Sequence, residues 1–352
     1  MAELAHGAGL AHEAGLAPPR VISGARLGYR HRARLAVRGR SNSPKLGIFQ
    51  AGSHRLADIP RCLVHHPVIN RVAAAVRRAL RETATPPYAE RPHRGALRSL
   101  QVVVERASQR AQVVLVGNAS EPAPLEPLAR ALEPLLANDL HSLWWNGNPE
   151  RTNVILGPHW QRLSGPEAVC ERIAGVDVFF PPAAFGQNHL ELADQLVAQV
   201  CAWVGDDRRV LELYAGCGPI GLPLLARSRE VAFNEVSPAG LRGLALGLAA
   251  RPEPERARAR VIPGEAGAAI PALTECDTVI ADPPRQGLDA DLLEALIAQP
   301  PERLIYASCD ATTFLAQART LTQRSPLRLR ELLAFELFPQ TRHVETLALF
   351  TR

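Results

Sequence analysis

Five apolar runs in the second half of the chain, each followed by a stretch of helical period, restrict the architecture more than any other feature of these 352 residues. The pattern predicts strands over 209–214, 230–234, 260–263, 278–281 and 303–306. Helices are expected over 219–227, 238–250, 266–273, 289–298 and 311–323. Strict strand–helix alternation implies a parallel sheet with both faces covered. Two further strand-like runs, Leu327–Leu337 and Val344–Phe350, follow with no helix between them and read as a terminal antiparallel hairpin.

Within the first unit of this pattern, the run Val210 to Leu213 breaks at Gly216 and Gly218 before a helix-like stretch. A strand, a glycine turn and a helix start let a ligand approach bare backbone. Glu235 closes the next strand, about 20 residues on, where such sheets place an acid against ribose hydroxyls. Ligands of these sheets bind beyond the carboxyl ends of the strands. Two more groups are expected there. Asp282-Pro-Pro-Arg285-Gln-Gly follows the fourth strand and offers a carboxylate held rigid by two prolines. Ser308-Cys309-Asp310 follows the fifth and precedes a helix, whose N-terminus is expected to lower the thiol pKa and poise a nucleophile. Glu345, on the terminal hairpin, reads either as a surface acid or, together with Cys309 and a donor site, as a proton acceptor.

The first half differs in charge. Residues 1–183 carry a net +9 and residues 184–352 a net −4, which together give the chain's +5. From Arg20 to Lys45 there is no acidic residue. Arg30, Arg32 and Arg34 fall on one side of a strand of period two, a positive stripe suited to phosphates, and Tyr29 stands ready to stack on an unpaired base. A solvated strand face accounts for the same arginines equally well. Residues 1–19, rich in Ala, Gly, His and Pro, read as a flexible tail. A basic α+β domain is expected over 20–182, with strands near Leu46–Phe49, Leu100–Glu105, Gln112–Val116, Val154–Leu156 and Val176–Phe180. Helices are expected near Pro67–Arg81 and Leu125–Ala137, and the ligand-binding sheet over 183–352.

Six cysteines lack CxxC spacing, which argues against a disulfide framework or zinc knuckle. Cys62 with His65 and His66 reads as a packed turn rather than a metal site. No basic n-region with a long apolar core opens the chain, and no apolar run reaches the ~18–20 residues that span a bilayer. The reading is a cytoplasmic protein with no membrane and no obligate protein partner.

Taken together, Leu211–Gly218, Glu235, Asp282-Pro-Pro-Arg, Ser308-Cys309 and Phe338-Pro-Gln-Thr followed by His343-Val-Glu-Thr resemble the RNA uracil-5-methyltransferase family. Phe185-Gly-Gln187-Asn and Tyr29-Arg-His-Arg are similar to its other signatures, and the resemblance covers about residues 25 to 352. It implies a seven-stranded, Rossmann-like class I methyltransferase domain behind a smaller α+β RNA-binding domain; the terminal hairpin suits that sheet. It implies S-adenosyl-L-methionine as donor, contacted by Gln187, Tyr214, Gly216, Gly218, Glu235 and Asp282, with Cys309 as nucleophile and Glu345 as base. Asp282 in contact with the base instead stays open. Tyr29, Arg30, Arg32, Arg34 and Arg285 would face the RNA, either rRNA or tRNA. Pro219 departs from the small polar residue usual there, and Asp310-Ala replaces the common Asn-Pro. Cys62 resembles the last of four cluster cysteines found in some members; the other three have no counterpart, so no iron–sulfur cluster and no metal is expected. The additional oligonucleotide-binding barrel of some members has no counterpart either. Two rival readings are an amino-methyltransferase using Asp282-Pro-Pro without Cys309, and a catalytically impaired donor- and RNA-binding protein.

Overall fold

The structure is a computed structural model and describes residues 18–341 and 343–352, besides Gly9 and His12. It divides into two compact units, Ala25–Glu171 and Arg172–Arg352, the latter joined by the segment up to Gly24. That segment carries β1 (Arg20–Ile22), which pairs in parallel with a C-terminal strand, Arg20 opposite Leu333 and Ile22 opposite Phe335. Residues 20–24, expected with the basic domain, therefore belong to the other unit, and Arg20–Ile22 to its sheet. Three residues with one arginine among them carry no periodicity, and their partner lies at the far end of the chain.

The unit Ala25–Glu171 is built from β2 (Arg32–Arg40), β3 (Ser43–Phe49), β4 (Leu56–Asp58), β5 (Leu97–Val104), β6 (Ala111–Gly117), β7 (Leu140–Gly147) and β8 (His159–Ser164). They form one sheet in the order β4-β3-β2-β5-β6-β7-β8. Neighbours are antiparallel except β6 and β7, which are parallel and joined through α2 (Glu126–Leu135). Helix α1 (Pro67–Glu82) starts with proline, where no N–H is needed, and His66 caps it by accepting from the Val68 N–H. Its Val72, Val76 and Leu80, at helical spacing, bury against Leu35, Val37 and Leu100 of the sheet. Buried Arg77 donates to the Leu46 and Ile59 carbonyls and to Asp58, tying α1 to β3 and β4. Cys62 lies in a turn closed by Asn70, whose side chain bonds both its N–H and its carbonyl.

The expected strand over Val154–Leu156 is a loop instead. Val154 and Ile155 are exposed, and their carbonyls accept from the Asn148 amide rather than from a strand ladder. Strands β7 and β8 went unread because His, Ser, Asn and Gln interrupt their apolar alternation.

β9 (Val169–Ile173), where the unit boundary falls, pairs with β10 (Val176–Phe180). After α3 (Leu190–Val204) the alternating part follows: β11 (Arg209–Leu213), α4 (Gly221–Leu224), β12 (Glu230–Glu235), α5 (Pro238–Ala249), α6 (Glu253–Arg256), β13 (Ala259–Pro263), β14 (Thr278–Ala281), α7 (Ala290–Ala298), β15 (Arg303–Ser308), α8 (Ala311–Arg324), β16 (Arg328–Phe335) and β17 (Glu345–Thr351). The expected helix over 266–273 is a 3-10 helix, Ala266–Thr274, whose Pro271 lacks the donor an α-helix needs. The helix expected over 219–227 shortens to α4, with Pro223 inside it.

The sheet order is β1-β16-β17-β15-β14-β11-β12-β13. The seven expected strands are all present, with β1 added as an eighth at the edge. β17 slots antiparallel between β15 and β16, and the strands from β15 to β13 are parallel. Alternate residues of each strand serve two cores. Val210, Phe233 and Ile305 pack with Leu196 and Val200 of α3. On the other face Leu211, Val279 and Tyr306 pack with Leu292 of α7 and Phe314 of α8. The carboxyl ends of β11, β12, β14 and β15 then converge on one edge. No helix among the described residues is long and apolar enough to cross a membrane.

Candidate active site

The edge where β11, β12, β14 and β15 end opens into a cleft of about 730 Å³, lined by Gln187, Tyr214, Glu235, Asp282, Arg285, Cys309 and Glu345 among others. A smaller cavity of about 70 Å³ adjoins it. The two share Phe185, Gln187, Tyr214 and Asp282, while Glu212, Gly216 and Pro219 line the smaller one alone. Seven of the residues singled out in the sequence thus meet in one cleft, although they come from six separate stretches of chain.

The turn after β11 has an unusual backbone. Tyr214, Gly216 and Gly218 all have positive φ, at 58°, 56° and 77°. Glycine adopts this region without cost, whereas tyrosine held there stores strain, which clusters at ligand sites. The Tyr214 hydroxyl donates to Asp289 at 3.1 Å. A Cβ on Gly218 would meet Leu244 at 2.7 Å, whereas one on Gly216 would meet nothing within 4 Å. Gly218 is therefore a packing glycine under α5, and Gly216 leaves open space on the cavity side. Glu235 secures the turn: it accepts from the Gly216 and Ser237 N–H groups, each at 2.6 Å. Both carboxylate oxygens keep a further lone pair for a ligand. Asn234 bonds the carbonyls of Ile262, Gly264 and Glu265, so the loop after β13 closes the cleft at a set distance.

Sequence reasoning missed Glu212. It is buried within the otherwise apolar β11, its carboxylate set against the Gly221 backbone at the start of α4. Burial raises its pKa, against hydrogen bonds from the Gly221 and Ile220 backbone, and Asp282 and Glu235 add to the rise. The available signal was an acid inside an otherwise apolar strand, directly before the glycine turn. Phe338 and Asp289 also line the cleft without having been named as contacts.

The thiol does not behave as its position before α8 suggested. Burial, then the neighbouring Glu345 and Asp282, push Cys309 up to about 11, against a smaller pull from Arg285. The helix N-terminus does not offset this because Asp310 caps it, accepting from the Thr313 N–H at 2.9 Å. Glu345 has 2% of its surface exposed, and burial first, then Asp282, raises its pKa well above the carboxylate range. Asp282 is raised to about 6 by burial. A thiol and two carboxyls thus share one cleft, in which burial disfavours ionisation of all three and the two carboxylates further oppose the thiolate.

Burial of Asp282 has a measurable cost. Between the ordinary aspartate pKa and about 6, the folded protein holds a proton on Asp282 that the unfolded chain has released. Stability therefore falls as the pH rises through that window. Asp282→Asn is expected to raise Tm by a few degrees at about pH 8 and to leave it unchanged near the unperturbed carboxylate pKa. A Tm unchanged or lowered at the higher pH would contradict the assignment.

The stripe residues lie in the other unit. Arg32 and Arg34 are on β2, on the face opposite Ala33 and Leu35, and Arg34 donates to Gln101 at 2.7 Å. Arg30 precedes the strand, in an isolated bridge with His65. Tyr29 is buried, with 7% of its surface exposed, so its ring is a packing element rather than an open stacking face. Burial and Arg30 lower the His65 pKa to about 4. Among the described residues, no group of three or more His, Cys, Asp or Glu side chains is placed to hold a metal ion.

Comparison with known proteins agrees with this geometry. The profile of the tRNA (Uracil-5-)-methyltransferase family matches residues 272–352, which span Asp282, Cys309 and Glu345. An uncharacterised RNA methyltransferase of Protochlamydia amoebophila is 35% identical over 95% of this chain and 88% of its own length. One of Parasynechococcus marenigrum is 29% identical over 93% of this chain and 70% of its own length. Among solved structures, the Pyrococcus abyssi tRNA (uracil-54, C5)-methyltransferase, in complex with S-adenosyl-L-homocysteine, shares the fold. Its TM-score is 0.77 at 22% identity, over 99% of this chain and 83% of that one. With a relative this similar along nearly the whole chain, and the family profile falling on the strand ends that carry the thiol and the acid, the chain belongs to the RNA (uracil-5-)-methyltransferase family.

Proposed function

We propose that the chain methylates carbon 5 of a uridine in RNA, with S-adenosyl-L-methionine as donor, Cys309 as nucleophile and Glu345 as base. The observation that carries the reading is that Cys309 and Glu345 line the same cleft as Glu235, Tyr214 and Asp282. The residues suit a nucleoside donor. Glu235 keeps acceptor capacity for ribose hydroxyls, and Gly216 leaves backbone room. When bound, the donor supplies a methyl group activated by a sulfonium.

The chain's own residues do the rest. Carbon 5 of uracil is a poor nucleophile. The Cys309 thiolate adds to carbon 6, and the displaced π electrons make an enolate whose carbon 5 takes the methyl group. Glu345 then removes the remaining proton on carbon 5, the 5,6 double bond re-forms and the Cys309 Sγ–C6 bond breaks. A cation in the cleft favours the charged forms of all three acids, so the thiolate gains most when the site is loaded. A base stacked in a helix shields carbon 6, which calls for an unpaired or flipped uridine. The unit Ala25–Glu171 carries 21 Arg and Lys against 11 Asp and Glu and suits a polyanion.

Mass spectrometry of nucleosides tests the reading. Transfer RNA and ribosomal RNA from cells lacking the protein, incubated with it and a methyl-labelled donor, should gain labelled 5-methyluridine in one fraction. Label on an exocyclic amine, or none, would reject it. Because the thiol and Glu345 are both raised, kcat/KM should climb with pH from about 6 to 9. A flat profile over that range would mean that the thiolate is already formed at neutral pH.

A further inference from the structure

The unit Ala25–Glu171 holds a second cavity, of about 470 Å³, within the roughly 300–1,000 Å³ usual for small-ligand sites. The Phe49 ring, 38% exposed, lines it from β3, and Tyr88 lines it from the loop before β5. The Arg38 guanidinium lies 5.2 Å from the Phe49 ring centre and 5.0 Å from that of Tyr88, and Arg98 lies 4.6 Å from the latter. Opposite them, the loop 148–155 brings Arg151, Val154 and Ile155, the last two 63% and 41% exposed.

The cavity is preformed. Arg98 donates to the carbonyls of Asn148, Glu150 and Thr152, and the Asn148 amide donates to those of Val154 and Ile155. The Tyr88 hydroxyl bonds His93, whose other ring nitrogen bonds the Pro149 carbonyl. Two exposed apolar side chains held by this lattice, facing an exposed aromatic ring, do nothing for the core. Glu90 pairs with Arg38 at 3.1 Å and with His54 at 3.3 Å. Arg151 has no ion pair among the described residues, so the lining keeps a positive excess over Glu90.

We propose that this cavity receives an unpaired nucleotide of the substrate RNA, outside the uridine that is methylated. The base lies against Phe49 between Val154 and Ile155, and the adjoining phosphate faces Arg151. The chemistry is that of single-strand recognition, an aromatic platform beside a cation. It rests on the reading of RNA as substrate, and it adds an anchor independent of the methyl-transfer cleft.

Binding of a fluorescein-labelled random-sequence dodecaribonucleotide to the full chain tests it by anisotropy. Phe49→Ala should weaken binding about tenfold, as loss of one stacked base does. Arg151→Ala should lower the salt slope by about one. A duplex of the same length should be insensitive to Phe49→Ala. Wild-type affinity in both variants, equal sensitivity of the duplex, or displacement by poly-glutamate as readily as by RNA would overturn the proposal. Cross-linking of wild-type protein to a 4-thiouridine oligonucleotide needs no variant; adducts should map to the peptides around Phe49 or Tyr88, and adducts confined to 172–352 would overturn it. Methyl transfer from labelled donor to total RNA is read in parallel on the wild type. Its failure would strike the substrate reading, whereas its success with unaltered variant binding strikes the cavity alone.

Discussion

Cys309→Ala should abolish methyl transfer, with kcat reduced by at least about 10⁴-fold, while the affinity for S-adenosylhomocysteine stays within about twofold. The two readouts separate because of where the sulfur sits. Cys309 lines the cleft at the end of β15, whereas the Glu235 carboxylate and the glycine turn belong to the ends of β12 and β11. Removing the thiol leaves no buried charge unpaired. With its pKa pushed up to about 11 the thiol is itself neutral at neutral pH, so the variant should fold about as well as the wild type. Donor binding is measured by calorimetry and turnover by transfer of labelled methyl. Turnover within tenfold of wild type would remove Cys309 from the mechanism and favour an amine methyltransferase built on Asp282-Pro-Pro.

Glu345→Gln should divide the reaction in half. Addition of the thiolate and methyl transfer need no base at position 345, but elimination does. The methylated adduct should therefore persist and appear on denaturing gels as a protein band shifted by the RNA, with turnover lowered about 10²–10⁴-fold. The substitution keeps the shape of a side chain that is almost wholly buried. The backbone around it is anchored independently, since the Thr346 hydroxyl donates to the Ser308 carbonyl and β17 pairs with both β15 and β16. Asp282→Asn is the control, because Asp282 faces the same cleft with a raised pKa. If that variant accumulates the adduct and Glu345→Gln does not, the base is Asp282.

The C-terminal sheet was legible because each central strand is buried on both faces, so Val210–Leu213 is apolar but for Glu212 and Val279–Ala281 is apolar throughout, with turn residues at their ends. The cleft was legible for the same reason, since its residues stand at predictable strand ends. What failed was local in another sense. β1 is three residues long and pairs with a strand some three hundred positions away. Tyr29 was read as a surface ring because alternation assigns faces but not what covers them. The direction of the Cys309 shift was misjudged because sequence shows the helix after the thiol. It does not show two carboxylates from other strands brought beside it, nor the cap by which Asp310 takes up the helix N–H groups. Glu212 was passed over because an acid in an apolar strand looks like an interruption until the residue is seen to line the inner cavity.

The covalent step itself is open to direct capture. RNA carrying 5-fluorouridine, given to the wild-type protein with labelled S-adenosylmethionine, presents a carbon 5 whose fluorine cannot leave as a proton does. If Cys309 is the nucleophile, a stable complex forms that contains labelled methyl, the modified pyrimidine and the peptide bearing Cys309, joined from Sγ to carbon 6. A labelled product free of protein, or a complex joined through any other residue, would contradict it.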